Sequence, residues 1–257
     1  VVQLSSLEEF LNDLLACGEF EDYCRNGIQV EGKAEIKKIA TGVSVSDRLF
    51  QAAIKQGADA ILVHHGLFWR NSPHPIVIRG IMRTRLKRLL SRDINLLAYH
   101  LPLDGHTVWG NNAQIAKALG LHNIHFVGRA TGPRTPPIMA IGTLTRPVSI
   151  DGFIDWVDRA LIARGTGLKL AQKDIRTVAV NSGGGSGYWE DALKAGADIL
   201  VTGEIREDVV RSCEEAGINL YAGGHYNTEK WGIRALGEHL ARTFDLEAEF
   251  IDIPNPI

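Results

Sequence analysis

Cysteine is scarce in this chain: Cys17, Cys24 and Cys213 are the three among 257 residues, and no Cys-x-x-Cys pair occurs. That removes a thiolate zinc knuckle and a redox dithiol, and the odd count points to free thiols in a reducing compartment, although Cys17 and Cys24 lie near enough in sequence to meet. Net charge is equally small. The 28 basic and 30 acidic residues leave −2, which advertises no nucleic-acid or anionic-membrane partner. No uninterrupted apolar run is long enough to cross a bilayer, and the opening segment Val1 to Leu15 carries Glu8, Glu9 and Asp13 where a signal or transit peptide has basic and apolar stretches. A cytoplasmic protein without a membrane segment is the expectation. Also missing are a Walker sequence, a dinucleotide fingerprint, a Gly-x-Ser-x-Gly elbow, a glycosidase carboxylate pair and a Cys/His nucleophile.

What the chain does have is enough apolar content, 45%, for a large core in one or two domains. Leu4 to Leu15 has helical periodicity, with Ser5 and Ser6 as possible caps. Downstream, two segments read alike. Ile36 to Val63 and Ile175 to Val201 each run strand, Gly/Ser turn, amphipathic helix ending near Gly57 or Gly196, and a second apolar strand. The likeness continues from Ile94-Asn95-Leu96-Leu97-Ala98-Tyr99-His100 to Ile218-Asn219-Leu220-Tyr221-Ala222-Gly223-Gly224-His225, and a carboxylate follows each histidine four residues on, Asp104 and Glu229. Three matches in one order are explained most economically by duplication. The expected fold is therefore α/β: two related halves with mixed sheets flanked by helices, and a metal site in the crevice between them. The halves are expected at residues 1–128 and 171–257. Between them, 129–170 forms a connecting segment that starts in the Gly/Pro-rich run 128–137, contains a short strand from Ile138 to Leu144, and adds a helix from Ser149 or Asp151 to Ala163.

The chemistry gathers at strand ends. His64 and His65 follow the apolar run Ala60-Ile61-Leu62-Val63, and Gly66 permits a turn there; adjacent side chains on an extended backbone point to opposite sides and can serve two cations. A structural pair of loop histidines is the plain alternative. Asp104 lies in His100-Leu101-Pro102-Leu103-Asp104-Gly105-His106, where Pro102 opposes a regular helix and predicts a stiff loop; a turn-capping aspartate is the rival reading. His100 stays open as a ligand, a proton carrier or a donor behind the ligands, and His106 reads as a surface loop residue. His225 and Glu229 share a helix face just before the C-terminal helix. Together His64, His65, Asp104, His225 and Glu229 offer three imidazoles and two carboxylates, a donor set for two divalent cations such as Zn, Fe, Mn, Co or Ni. A bridging carboxylate holds such a pair roughly 3.5 to 4 Å apart, with a shared water acidified towards neutrality.

Around this set, Asn181-Ser182-Gly183-Gly184-Gly185-Ser186-Gly187 joins a strand to a helix. The amides of Gly183, Gly184 and Gly185 are candidates to receive a substrate phosphate, and a tight turn is the competing reading. Glu204, in Thr202-Gly203-Glu204, sits where His64-His65-Gly66 sits in the first half, as a base or as a hydrogen-bond acceptor for a ligating histidine; a surface glutamate is the alternative. Phe68 and Trp69 roof the site or simply pack. Arg79 to Arg92 is a basic amphipathic helix with Ile81, Leu86, Leu89 and Leu90 on its apolar side, read as a solvated face; a nucleic-acid partner is disfavoured for want of a wider basic, aromatic surface.

Taken as a set, these motifs resemble the Nif-three-like family of dinuclear metal proteins, in particular the bacterial GTP cyclohydrolase type 2 homologs. The likeness rests on Asn26-Gly27-Ile28-Gln29-Val30, His64-His65-Gly66 with Trp69, His100-Leu101-Pro102-Leu103-Asp104, Gly110-Asn111-Asn112, Thr202-Gly203-Glu204, Gly224-His225 with Glu229, and Phe250 to Pro256. It implies that His64, His65, Asp104, His225 and Glu229 are metal ligands with Glu229 the bridge, that the fold is duplicated, and that the chain self-associates into a toroidal homohexamer. It further implies a metal-dependent hydrolase of a nucleotide or related phosphorylated small molecule; in such a site His100 or Glu204, on the reading of the residues themselves, would move protons. A non-catalytic metal-handling or ring-scaffold protein is the alternative. Where relatives carry an acidic residue beside the Asn-Gly pair, this chain has Tyr23-Cys24-Arg25, and it lacks the middle insertion of longer relatives.

Overall fold

The computed structural model describes residues 1–72, 74–129, 135–162 and 164–257. The chain forms two compact units, one of Val1–Leu103 with Ile233–Ile253 and one of Asp104–Gly232 with Pro254–Ile257. Strand Glu247–Phe250 returns to pair in parallel with strand Lys38–Ser44 of the first unit. Residues 130–134 of the expected linker, and Ala163 at the expected helix end, lie outside the described residues.

The first unit carries a five-stranded mixed sheet. From one edge its strands are Glu247–Phe250, Lys38–Ser44, Ala60–His65, Asn95–Ala98 and Gly27–Val30, the first four parallel and the last antiparallel. Strand Ala60–His65 is buried almost throughout, as the unbroken apolar run requires of a central parallel strand. Helices Asp47–Lys55 and Gly80–Leu90 cover one face, where Leu49, Phe50, Leu86 and Leu89 pack on Ile61 and Val63. Ser46 caps the first of these helices by accepting the Leu49 amide at 3.1 Å.

The second unit has a six-stranded mixed sheet in the order His122–Val127, Met139–Val148, Ile175–Asn181, Ile199–Thr202, Asn219–Ala222 and Thr166–Leu168. Its strands Ile175–Asn181, Ile199–Thr202 and Asn219–Ala222 are parallel, and the rest pair antiparallel. Period-two alternation sorts the side chains: Val178, Val180, Ile199 and Val201 face Phe153, Val157 and Leu161, while Ala179 and Leu200 face Ala192, Val209 and Cys213.

Both units use the same device between helix and strand. Asp59 Oδ2 accepts the amides of Lys37 at 3.0 Å and Lys38 at 3.1 Å, and Asp198 Oδ2 those of Arg176 at 2.9 Å and Thr177 at 2.8 Å. Asn95 then donates to the Asp59 carbonyl at 3.1 Å, and Asn219 to the Asp198 carbonyl at 3.2 Å. Each aspartate fixes the start of a parallel strand, Lys38–Ser44 in the first unit and Ile175–Asn181 in the second.

Three local expectations need correction. Leu101–Asp104 is one helical turn, not a loop; Pro102 stands in that first turn, where a helix asks nothing of its missing amide. On helix Gly80–Leu90, Ile81 and Leu90 are exposed, and only Leu86 and Leu89 are buried. Helix Ile150–Leu161 stops two residues early, with Ile162 taking a left-handed cap at φ 52°.

Candidate metal centre

In the first unit, His64 is fully buried and His65 half-buried, and their ring centroids lie 4.7 Å apart. The His64 Nδ1 lies 3.0 Å from the carbonyl of Tyr99, which follows the adjacent strand. A carbonyl can only accept, so the proton sits on Nδ1 and the lone pair on Nε2. His65 Nδ1 bonds the Ser44 hydroxyl at 2.9 Å, across the register that pairs Ser44 with His65. His100 joins them: donor atoms of His64, His65 and His100 all lie within 4.8 Å of one another.

His100 is held from behind. Its Nδ1 bonds Asp22 Oδ1 at 2.9 Å, and its amide donates to Asn26 Oδ1 at 2.8 Å. Asp22 also accepts from the amides of Cys24 and Leu101 at 2.9 Å and from Asn26 Nδ2 at 3.0 Å. Burial alone would raise the Asp22 carboxyl, but His100 and these donors outweigh it and hold the group below the usual carboxylate range. Gln29 steadies the loop beyond His65, accepting the Leu67 amide at 2.6 Å. A Cβ on Gly66 would stand 2.4 Å from the Gln29 side chain, so that close approach needs glycine. Trp69 bonds the Gly66 carbonyl at 3.0 Å and stands edge-on to His100, with Tyr23 beside it.

In the second unit, His225 opens helix His225–Phe244 and Glu229 follows one turn later. His225 Nε2 lies 3.1 Å from Glu229 Oε2, while its Nδ1 contacts Glu204 Oε1. Hydrogen bonding to Glu229, then opposed by burial and aided by Glu204, lifts this imidazole to about 9. Two carboxylates around one ring thus demand positive charge, which a proton supplies or a cation replaces. Asp104 is buried and accepts from Asn111 Nδ2 at 2.8 Å and from the Ser182 hydroxyl at 3.4 Å. Asn112 anchors the same loop by accepting the Ser182 amide at 2.7 Å.

The glycine loop is built around the Glu229 carboxylate. Gly183 has φ +58°, and a Cβ there would stand 2.1 Å from Glu229 Oε1 and 3.1 Å from His225 Nε2. Its amide donates to Thr228 Oγ1 at 3.0 Å, and its carbonyl accepts from the Glu204 amide at 2.9 Å. Gly183 therefore makes room for the His225–Glu229 pair and positions Glu204. Gly185 packs against Asn181, and Gly184 faces open space.

Two groups of His and Glu side chains are thus arranged to chelate divalent cations whose identity the donors leave open. Oxygen and imidazole nitrogen are the donors on offer. Burial pushes the Cys17 and Cys24 thiols up to about 12 and Cys213 to about 11, and all three are free; among the described residues neither chelating group includes a cysteine. His106 caps a turn, accepting the Trp109 amide at 2.9 Å. Sequence reasoning missed Asp22, Ser44, Asn111 and Ser182. Asn111 falls within the Gly110-Asn111-Asn112 motif, but polar residues in loops give no periodic signal that says what they hold.

Among the described residues no helix is long and apolar enough to cross a membrane. The sequence model of the family described as Duf34/NIF3 (NGG1p interacting factor 3) matches residues 2–256. A Yersinia pestis protein named GTP cyclohydrolase 1 type 2 homolog is 43% identical over 254 residues, covering 97% of this chain and 98% of that one. A solved structure of protein ybgI, of unknown function, superposes with TM-score 0.92 at 40% identity over 100% of both chains. That of TTHA1606 from Thermus thermophilus does so with TM-score 0.85 at 32% identity, again over 100% of both.

Proposed function

Because the chain belongs to the Duf34/NIF3 family, we propose that His64, His65, Asp104, His225 and Glu229 hold two divalent cations in a hydrolase acting on a nucleotide or related phosphorylated small molecule. The observation that carries this reading is the way the ligand imidazoles are held. His64 is backed at Nδ1 by a carbonyl and His225 by a carboxylate, acceptors that turn Nε2 into a metal donor and raise its basicity, and the Ser44 hydroxyl bonds Nδ1 of His65. Bound cations of this type supply Lewis acidity and lower the pKa of a coordinated water.

The chain's own groups do the remaining work. Glu229, buried beside His225, is the carboxylate suited to bridging. Asp22 fixes Nδ1 of His100, so a proton moved by this ring travels through Nε2. Glu204 accepts from His225 and serves first to orient it. With the Gly183 amide engaged by Thr228, a substrate phosphate falls to the amides of Gly184 and Gly185. The relatives' name makes GTP the first substrate to try, and that assignment rests on likeness alone.

The shared Asp59/Asn95 and Asp198/Asn219 bonding supports a duplicated origin for the two units. Self-association into a ring belongs to the same reading, supported by the exposed run Ile76, Val77, Ile78 and Ile81 at 52, 62, 59 and 72%; sedimentation analysis checks it. The deciding experiment is elemental analysis of the native protein and of Glu229→Gln under matched metal supply, followed by a nucleotide screen with the retained metal. About two ions per chain, lost in the variant, with turnover that falls alongside them, is the expected result. Metal retained without turnover of any phosphorylated substrate would move the protein to the metal-handling reading, and a native protein that keeps no metal would sink both.

A further inference from the structure

The segment from Arg79 to Arg92 contains six basic residues and no acidic one. In the structure its helix is anchored by Leu86 and Leu89, and its charged side turns toward the neighbouring helix Asp47–Lys55. Between these two helices lies an open groove of about 570 Å³ lined by Lys55, Arg83, Lys87, Arg88 and Arg92. Gln51, Thr84 and Ser91 add neutral hydrogen-bonding groups to its walls.

Arg88 is neutralised, through Nη2 to Asp47 Oδ2 at 3.0 Å. Among the described residues, Lys55, Arg83, Lys87 and Arg92 take no ion pair. Arg83 and Lys87 are one turn apart on the helix, and like charges at that spacing repel. A merely solvated face relieves such repulsion by interleaving acids; this helix has none, although the chain as a whole carries −2. Several cations held together in a concave surface match an anion bearing several charges in a row.

We propose that this groove is a binding site for a small polyphosphate, separate from the residues of the candidate metal centre and independent of whether the protein is a hydrolase. Two features favour a small molecule over a nucleic acid. No aromatic side chain lines the groove among the described residues, so there is no platform on which bases stack. The flanking helices have 9 and 11 residues, which limits the charged strip to about 15 Å, ample for a short phosphate chain and short for a tracked strand.

Calorimetric titration of the metal-loaded protein with sodium tripolyphosphate at low salt tests this. One saturable site per chain is expected, weakened on the order of a hundredfold in the Arg83→Gln/Lys87→Gln double variant. Binding should be unaltered in Glu229→Gln, which changes the metal centre, and in Arg211→Gln, which removes an exposed charge elsewhere; thermal melts establish that each variant is folded. The proposal is overturned if the double variant binds as tightly as the native protein, if Glu229→Gln abolishes binding, or if Arg211→Gln weakens it equally. Displacement of tripolyphosphate by a short duplex DNA at lower concentration would also overturn it, in favour of a nucleic-acid surface.

Discussion

Asp22 and His100 lie 78 residues apart in sequence and meet at 2.9 Å, both almost wholly buried. The carboxylate also ties down the backbone on both sides, at Cys24 and Leu101. Asp22→Ala leaves those amides and the ring without their acceptor, and the expected loss is about 3 kcal/mol in urea unfolding. Asp22→Asn keeps one acceptor oxygen and should recover part of that stability. If His100 moves protons, the Asn form should lower kcat with little change in KM, because ring orientation and not substrate binding is disturbed. Equal stability of the Ala variant and the native protein would remove Asp22 from this role.

Glu204 touches the far nitrogen of a ligand candidate, His225. Its effect on metal is therefore indirect and graded. Glu204→Gln should lower metal affinity by roughly 10- to 100-fold without abolishing it, whereas Glu229→Gln should empty the site. Competition with a chelating dye separates the two outcomes. An unchanged affinity in Glu204→Gln would mean that the glutamate is a bystander at the rim.

Gly183→Ala is the sharper probe of how the second unit frames its ligands. The added methyl would lie 2.1 Å from Glu229 Oε1 at a φ of +58°, so the backbone pays about 1–2 kcal/mol and the carboxylate must move. A lower melting temperature together with lost metal is expected. A variant that melts lower yet keeps its full metal content would show that Glu229 relaxes freely, contrary to its tight setting.

The fold is legible in the sequence where side-chain period and burial are strong. Ala60 to Val63 and Ile199 to Val201 read as buried parallel strands and are so. Residues at strand ends and helix starts, such as His64 and His225, are legible for the same reason: the pattern stops there and polar groups begin. What cannot be read is long-range return and polar support. Nothing in Glu247–Phe250 tells that it joins Lys38–Ser44, and nothing in Asp22-Tyr23-Cys24-Arg25 tells that Asp22 ends beneath His100. Both depend on tertiary closure, in which one short segment meets another with no shared local signal. The one-turn helix Leu101–Asp104 departs from the loop that Pro102 suggests, because proline breaks a helix interior but is a permitted opening at a helix start.

Asp59 supplies a pH test that leaves the candidate site alone. Burial would raise its carboxyl, but the Lys33 ammonium at 2.6 Å and the amides of Lys37 and Lys38 outweigh that and lower it. A depressed carboxyl means that the unfolded chain binds the proton more tightly, so stability rises with pH across the window between the two values. The contribution is complete above the unfolded pKa of about 3.9 and is lost as pH falls through the lower folded value. Asp59→Ala removes an acceptor of two strand-opening amides and should cost about 2 kcal/mol at neutral pH. The cost should shrink on acidification below about pH 4, where the native carboxyl is itself being protonated. Urea midpoints of both proteins from neutral to acid pH measure this: converging curves support the bond network, and a gap that stays constant would mean that the loss is one of packing and not of charge.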